Sequence, residues 1–223
     1  MKKISKTNPP RELVVWIREN EGLDQSYRAL SGSTAHVALK RQLLEEQGFL
    51  CAYTGLRISG DSSHLEHIKP QHRCEALEDV DYRNLLACFP ADGGDVSHGF
   101  GAPMKSGWWD EDLLVTPLAN ECERRFKFSW SGHVSPSPSD SEAAIRTIEV
   151  LGLDAGGLVE LRRRAILAFF GFESRPGSPS RPLSLDEAQR ILDRIEKRDQ
   201  YGNLTPFCFV LKQLLERYVK HGK

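Results

Sequence analysis

The chain has 223 residues, of which 39% are hydrophobic and 27% charged, a composition typical of a globular protein with one sizeable core. No apolar run approaches the roughly 20 residues that a membrane-spanning helix needs, which excludes a membrane protein. The 30 lysines and arginines balance 31 aspartates and glutamates, so the chain lacks the basic excess that nucleic-acid binders usually carry.

Residues 1–50 form a first, helical segment. Pro9 and Pro10 precede an apolar-rich run at 12–17, a pattern typical of a helix with proline in its first turn. A second helix is predicted from Ser33 or Thr34, with leucines and valine at helical spacing, to the stop signal Gly48.

Residues 51–135 have the character of short strands and turns. Strands are predicted at 49–53, 56–58, 63–68, 125–130 and 133–134. A short helix or turn is predicted at 82–88, and a glycine-rich loop follows at 90–107.

Residues 140–223 return to helix. Helices are predicted at 140–151, 156–170, 184–200 and 206–220. Capping boxes are predicted at Ser139 with Glu142 and at Ser184 with Glu187, whereas the segment 174–182 is too rich in proline and glycine to be regular. The predicted fold class is therefore α+β, with a small strand-rich centre held between helical segments.

The residues with the clearest chemistry lie at Glu66-His67, Asn84 and His98. An imidazole near its free pKa is a good base at neutral pH, and a carboxylate with an imidazole can hold a divalent metal with positions left open for phosphate. An amide such as that of Asn84 can fix the orientation of an imidazole. Because adjacent strand residues point to opposite faces, Glu66 and His67 need a twist or bulge to serve one site, or act from different sides.

This constellation resembles an HNH, or ββα-metal, endonuclease. Further similarity to the HNH nucleases of Septu and retron anti-phage systems spans roughly residues 1–170. The matching elements are the opening Ile4, Lys6, Pro10 and Leu13, the runs 43–53 and 82–86, and the trailing Ile148, Leu151, Leu153, Leu161 and Arg164.

The resemblance implies a role for each motif residue. His67 is the general base, Glu66 and His98 hold one Mg²⁺ or Mn²⁺ ion, and Asn84 positions the base. Asp92 and Asp95 remain competing ligands with suitable chemistry in the same loop as His98.

Candidate contacts to nucleic acid are Lys69, Lys105 and the run Arg162–Arg164. Lys105 matches a lysine-glycine element of the family loosely, because Ser106 precedes Gly107. The three arginines follow Leu161 on a predicted helix, so they are either a solvated face with one buried stem or a phosphate or partner contact.

The chain departs from many relatives at Cys51, because Thr54 stands where they have a second cysteine. Threonine is not a zinc ligand, and Cys51 with Cys88 does not complete a tetrahedral site, so we expect no structural zinc. The core is then expected to depend on packing by Tyr53, Leu65, Ile68, Leu85 and Leu86.

The predicted function is a cytoplasmic, metal-dependent endonuclease that cuts DNA as the effector of an anti-phage system. Five scattered cysteines and the absence of a secretion signal after the basic N-terminus indicate the cytoplasm. The resemblance implies an ABC- or SMC-like ATPase partner and, in retron systems, a reverse transcriptase with its DNA. The alternatives are a non-catalytic subunit that binds nucleic acid or a partner, and an HNH nuclease acting on RNA such as tRNA.

The charge is distributed unevenly along the chain. Residues 51–110 carry five basic and nine acidic side chains, a net −4, which attracts a divalent cation but holds DNA poorly. Five arginines against one glutamate at 161–181 predict a local basic face. We therefore expect a nuclease that depends on a partner for part of its affinity for nucleic acid.

Overall fold

The structure, a computed structural model, describes residues 1–170 and 184–221. These residues form helices and two antiparallel pairs of strands, so the α+β class is confirmed. The helices are α1 (Arg11–Glu19), α2 (Tyr27–Leu30), α3 (Thr34–Glu46), α4 (Ala102–Lys105), α5 (Glu142–Val150), α6 (Gly156–Phe170), α7 (Leu185–Ile195) and α8 (Cys208–His221). The strands are β1 (His64–His67), β2 (Leu85–Cys88), β3 (Phe126–Phe128) and β4 (Val134–Pro136). The irregular segment predicted at 174–182 lies outside the described residues.

Both predicted N-terminal helices are present. α1 follows Pro10, whose extended backbone suits the residue before a helix. α3 follows Ser33, whose Oγ accepts a hydrogen bond from the backbone N–H of His36 at 3.1 Å. The chain leaves α3 through Gly48 at φ 61°, a conformation that favours glycine. The short helix α2 between them has no counterpart in the prediction.

The centre of the chain contains fewer strands than the sequence predicts. The two strands predicted around residues 54 and 55 reduce to a single bridge between Leu50 and Arg57. The strand predicted at 63–68 is confirmed as β1. Only this strand and β2 therefore build the central sheet of the described chain.

The segment 82–88 is a 3₁₀ turn at Tyr82–Asn84 followed by β2, so the prediction of a helix or turn is wrong for its second half. Asp81 caps the turn, because its carboxylate accepts a hydrogen bond from the N–H of Arg83 at 2.9 Å. All four residues of β2 are buried. Such a short apolar run does not distinguish a buried strand from a helix by periodicity.

The hairpin of β3 and β4 confirms the strands predicted at 125–130 and 133–134. Helix α8 lies against it, because the amide of Gln213 accepts from the N–H of Phe128 at 2.8 Å and donates to the carbonyl of Phe126 at 2.7 Å. The capping box of Ser184 and Glu187 at α7 is confirmed. The cap of α5 is Ser141 and not Ser139.

One cluster of buried apolar side chains joins residues from all three predicted segments. The five predicted packing residues, Tyr53, Leu65, Ile68, Leu85 and Leu86, are all buried in it. All five cysteines are free thiols, and Cys51 and Cys88 are buried in the same cluster. None of the helices that the structure describes is both long enough and apolar enough to span a bilayer.

For the arginine run on α6, the structure supports the alternative of a solvated face with one buried stem over a phosphate contact of Arg162. Arg162 is only 2% exposed, donates hydrogen bonds to the carbonyls of Gly132 and Leu153, and lies 5.5 Å from the ring centroid of Phe128. It therefore joins α6 to two turns of the core and is not available to a phosphate.

The other two arginines of the run, half-buried Arg163 and exposed Arg164, share one carboxylate. The guanidinium of Arg163 lies 2.7 Å and that of Arg164 2.8 Å from the oxygens of Glu160. This part of the predicted basic face is therefore largely neutralised within its own helix.

Replacing Arg162 by methionine is expected to lower the free energy of unfolding by about 2–4 kcal/mol, because two buried carbonyls lose their donor. Arg164→Met on the same helix is the matched control, since its side chain is 71% exposed and the expected loss stays within about 0.5 kcal/mol. Urea denaturation measures both variants. Equal stability of the two would contradict the structural role of Arg162.

Candidate active site

Strand β1 divides the motif between its two faces. Its register with β2 is regular, from His64 opposite Cys88 to His67 opposite Leu85, so no bulge brings neighbouring residues together. His64 and Glu66 are half-buried on one face, whereas Leu65 and His67 are buried on the other. Glu66 and His67 therefore serve different sides of the strand.

Glu66 lies between a buried cation and an imidazole. Its Oε1 accepts a hydrogen bond from Nζ of Lys105 at 2.8 Å, and its Oε2 lies 3.6 Å from Nε2 of His64. Lys105 is 1% exposed and also donates to the backbone carbonyl of His67 at 2.9 Å. The lysine predicted as a phosphate contact is thus a buried partner of Glu66, because α4 places it directly against β1.

The contact between His64 and the Pro90 carbonyl determines which ring nitrogen of His64 keeps its lone pair. Nδ1 lies 2.5 Å from the carbonyl oxygen of Pro90, which only accepts, so the hydrogen resides on Nδ1 and the neutral ring has its lone pair on Nε2. Burial lowers the pKa of His64, but Glu66 and the Pro90 carbonyl outweigh it and hold that pKa above its ordinary value. In the neutral ring the Nε2 lone pair faces Glu66 and is suited to a metal, which would have to displace the proton that Glu66 favours at that nitrogen.

His67 has the opposite arrangement. Its Nε2 lies 2.8 Å from the carbonyl oxygen of Asp79, so the neutral ring is protonated at Nε2 and has its lone pair on Nδ1. The ring is 7% exposed and packs edge-on against Tyr27, with 4.6 Å between centroids. Burial lowers the pKa of His67, so the ring is neutral at pH 7 and able to accept a proton.

Asn84 does not contact an imidazole. Its Oδ1 accepts from the N–H of Lys69 at 2.8 Å, and its Nδ2 donates to the carbonyls of Lys69 at 3.1 Å and Glu78 at 3.0 Å. The same amide lies 3.4 Å from Sγ of Cys74. Asn84 therefore supports His67 through the loop that ends at Asp79, in place of the direct contact expected from the resemblance.

His98 contacts groups other than the Glu66 carboxylate. Its Nε2 is 3.8 Å from Oδ2 of Asp95, and its ring packs against Phe89 and Phe100 with centroids 5.1 and 5.7 Å away. No hydrogen bond or ion pair joins it to Glu66 among the residues described. The imidazole that the structure places beside Glu66 is that of His64.

A cleft of about 380 Å³ opens over the face of β1 that carries His64 and Glu66. Its walls are the loop after β2 and the short helix α4. The remaining lining residues are Pro90, Ala91, Gly93, Gly94, Val96, Ala102, Pro103 and Ser106. Asp92 belongs to the same loop, and its charge contributes to raising the pKa of His64.

Lys69 is the remaining predicted phosphate contact, and it is committed to another group. Its Nζ lies 2.5 Å from Oε2 of Glu78 and 5.5 Å from the ring centroid of Trp109. Both groups keep the lysine against its own loop.

The donor set at Glu66 suits a divalent cation. One imidazole nitrogen, of His64, and one carboxylate oxygen, of Glu66, face each other there, whereas the resemblance implies His98 as the histidine ligand. No group of three or more histidine, cysteine or acidic side chains in the described parts of the chain has the arrangement of a metal site. With Glu66 and His64 as its protein ligands, a cation would keep several positions open to water and phosphate.

Sequence reasoning missed His64, although a signal was present. His64 and Glu66 are two residues apart in a predicted strand, and that spacing places both side chains on one face. The adjacent pair Glu66-His67 resembles the family motif more strongly and drew the prediction to His67.

A scan against protein-family models gives no match to this chain, and a search of curated proteins gives no significant match. The functional proposal therefore rests on the motif and on the geometry of this site.

Proposed function

We propose that this chain is a metal-dependent HNH-type endonuclease that hydrolyses phosphodiester bonds of nucleic acid, with DNA as the substrate. The observation that carries the proposal is the pairing of His64 Nε2 with the Glu66 carboxylate at 3.6 Å on the floor of a cleft. An imidazole lone pair and a carboxylate that face the same cleft can together hold a divalent cation such as Mg²⁺ or Mn²⁺ and leave its other positions to water and phosphate.

In this proposal Glu66 and His64 hold the cation. When bound, it supplies Lewis acidity to a phosphoryl oxygen and lowers the pKa of water. The Pro90 carbonyl fixes the orientation of His64, as backbone carbonyls commonly do for metal-binding imidazoles. Lys105 holds Glu66 in place and adds a positive charge beside the site.

His67 is the proposed general base, as the resemblance implies, and in this role it would act from the face of β1 opposite to the one that carries Glu66. The Asp79 carbonyl holds its proton at Nε2, so that Nδ1 is the atom that accepts a proton from water. The side chain of Asp79 also accepts from the backbone N–H of Tyr27 at 2.7 Å, so Asp79 bonds to both residues whose rings pack together. Asn84 braces the loop that carries Asp79.

Removal of the metal gives the direct test. The purified chain is expected to nick supercoiled plasmid DNA with Mg²⁺ or Mn²⁺ and to lose this activity in EDTA, with recovery when the cation is returned in excess. Binding of Mn²⁺, followed by electron paramagnetic resonance, is the second measurement. A chain that neither binds Mn²⁺ nor cuts DNA or RNA would contradict the proposal, and preferential cleavage of RNA would move it to the RNA alternative.

The resemblance adds a biological setting to the proposal. The nuclease would be the effector of an anti-phage system, together with an ABC- or SMC-like ATPase and, in retron systems, a reverse transcriptase with its DNA. The net charge of −4 over residues 51–110 supports dependence on such a partner, because an acidic core holds DNA weakly.

A second candidate function is a binding subunit without turnover. The ion pair of Glu66 with Lys105 favours it, because an ammonium 2.8 Å from the carboxylate competes with a divalent cation. Nucleic-acid binding by the chain in complex with its ATPase, with no cleavage at any metal concentration, would favour this alternative.

A further inference from the structure

A basic groove lies outside the cleft of Glu66. It encloses about 940 Å³ between the N-terminal residues, the turn before β3, strand β3 and one side of α8. Seven lysines and arginines line it against three glutamates. This surplus of positive charge contrasts with the acidic centre of the chain.

The walls of the groove are held firmly. The backbone N–H of Ile4 donates to the carbonyl of Pro117 at 2.8 Å, which fixes the N-terminal segment. On the opposite side, Arg217 donates to the carbonyl of Phe128 and Gln213 bonds the backbone of β3. Arg217 and Gln213 belong to one side of α8, so the helix joins the sheet along the floor of the groove.

Two of the three glutamates are already neutralised. Glu123 accepts from Nζ of Lys2 at 2.8 Å and from the N–H of Lys3 at 2.9 Å. Glu121 pairs with Arg124 at 3.0 Å. These acidic side chains therefore do not cancel the remaining cations of the groove.

Three lysines of the groove have no acidic partner among the residues described. Lys3, Lys127 and Lys220 are exposed, and none of them forms an ion pair with a residue that the structure describes. They come from the N-terminal segment, β3 and α8, so three separate elements direct free ammonium groups toward one depression. An extended polyanion would satisfy all three at once.

We propose that this groove binds the sugar-phosphate backbone of a nucleic acid and supplies electrostatic affinity that the acidic cleft lacks. We choose nucleic acid among the possible polyanions because of the proposed nuclease function. The positive charge of the groove is observed independently of that proposal. The groove also takes the place of the basic face predicted at 161–181, where Arg162 is buried and Arg163 and Arg164 are paired with Glu160.

The test is the triple variant Lys3→Glu, Lys127→Glu and Lys220→Glu, with Arg11→Glu, Arg28→Glu and Arg41→Glu as a charge-matched control outside the groove. Fluorescence anisotropy measures binding of a short labelled DNA duplex and of a single strand over a series of salt concentrations. The groove variant is expected to bind about 10–100-fold more weakly, with a salt slope smaller by roughly 2–3 because up to three phosphate contacts are lost. Thermal unfolding of both variants verifies that they fold.

Several outcomes would overturn the proposal. One is equal loss of affinity in both variants, which would make the effect one of net charge alone. Others are wild-type affinity in the groove variant, or binding of polyglutamate in preference to DNA.

A further variant separates the groove from the catalytic proposal. Glu66→Gln, which leaves the groove intact, is expected to keep full DNA affinity while it loses cleavage. Wild-type protein that binds DNA through the groove and never cuts would refute the nuclease and leave the groove standing. Cleavage and binding that are both unchanged in the groove variant would refute the groove alone.

Discussion

Glu66→Gln and His64→Ala are each expected to lower the rate of plasmid nicking by at least about a hundredfold, because each removes one of the two ligands proposed for the cation. Glutamine keeps the size of the side chain and an oxygen for the hydrogen bond from Lys105, so the loss reports the missing charge. His67→Ala is expected to lower the rate by about 10²–10⁴-fold through loss of the proposed general base. Nicking rates of the purified variants, at equal folded fraction by circular dichroism, measure these effects.

His98→Ala is the matched control for this series. The HNH resemblance places His98 on the metal, whereas the structure places it against Phe89, Phe100 and Asp95. We expect nicking to change less than about threefold, since a side chain without contact to the reacting groups contributes little to transition-state binding. Full activity of His64→Ala combined with loss in His98→Ala would return the metal to His98 and refute the assignment to His64.

The second large effect concerns stability. Lys105→Met is expected to lower the free energy of unfolding by about 3–5 kcal/mol, because it leaves Glu66 without its partner in a site where the lysine is 1% exposed. Adding Glu66→Gln removes the stranded charge, so the double variant is expected to recover on the order of 1–3 kcal/mol. Urea denaturation of both single variants and of the double variant measures the coupling.

Lys69→Met is the control for a lysine–glutamate pair near the surface. Its partner Glu78 has a side chain that is 42% exposed, and the expected loss is at most about 1 kcal/mol. A loss from Lys105→Met no greater than that from Lys69→Met would show that the Glu66–Lys105 pair is not a structural element of the site.

The helices were predictable because their signals are local. Ser33 before α3 and the Ser184–Glu187 box before α7 act within one turn, so the sequence contains all the information about these ends. Strand β2 was not predictable in the same way. Its four apolar residues have no period, and only pairing with β1 determines their conformation.

The same distinction between local and long-range signals applies to the residues of the candidate site. The sequence alone indicated Glu66, His67 and Asn84, because the resemblance to the HNH motif depends on residue types and their spacing. The contact between Lys105 and Glu66 joins residues 39 positions apart and depends on how the loop after β2 returns through α4. No local pattern encodes that return, and the burial of Arg162 depends likewise on turns at residues 132 and 153.

The hydrogen bonds of Asn84 have an evolutionary consequence. The side chain of Asn84 closes the loop between Lys69 and Glu78, because it binds the backbone of both residues. The entropy cost of closing a loop grows only slowly with its length. The exposed residues 71–73 and 75–77 can therefore change in number or composition at little cost to β1, because the bonds that close the loop belong to Lys69, Glu78 and Asn84.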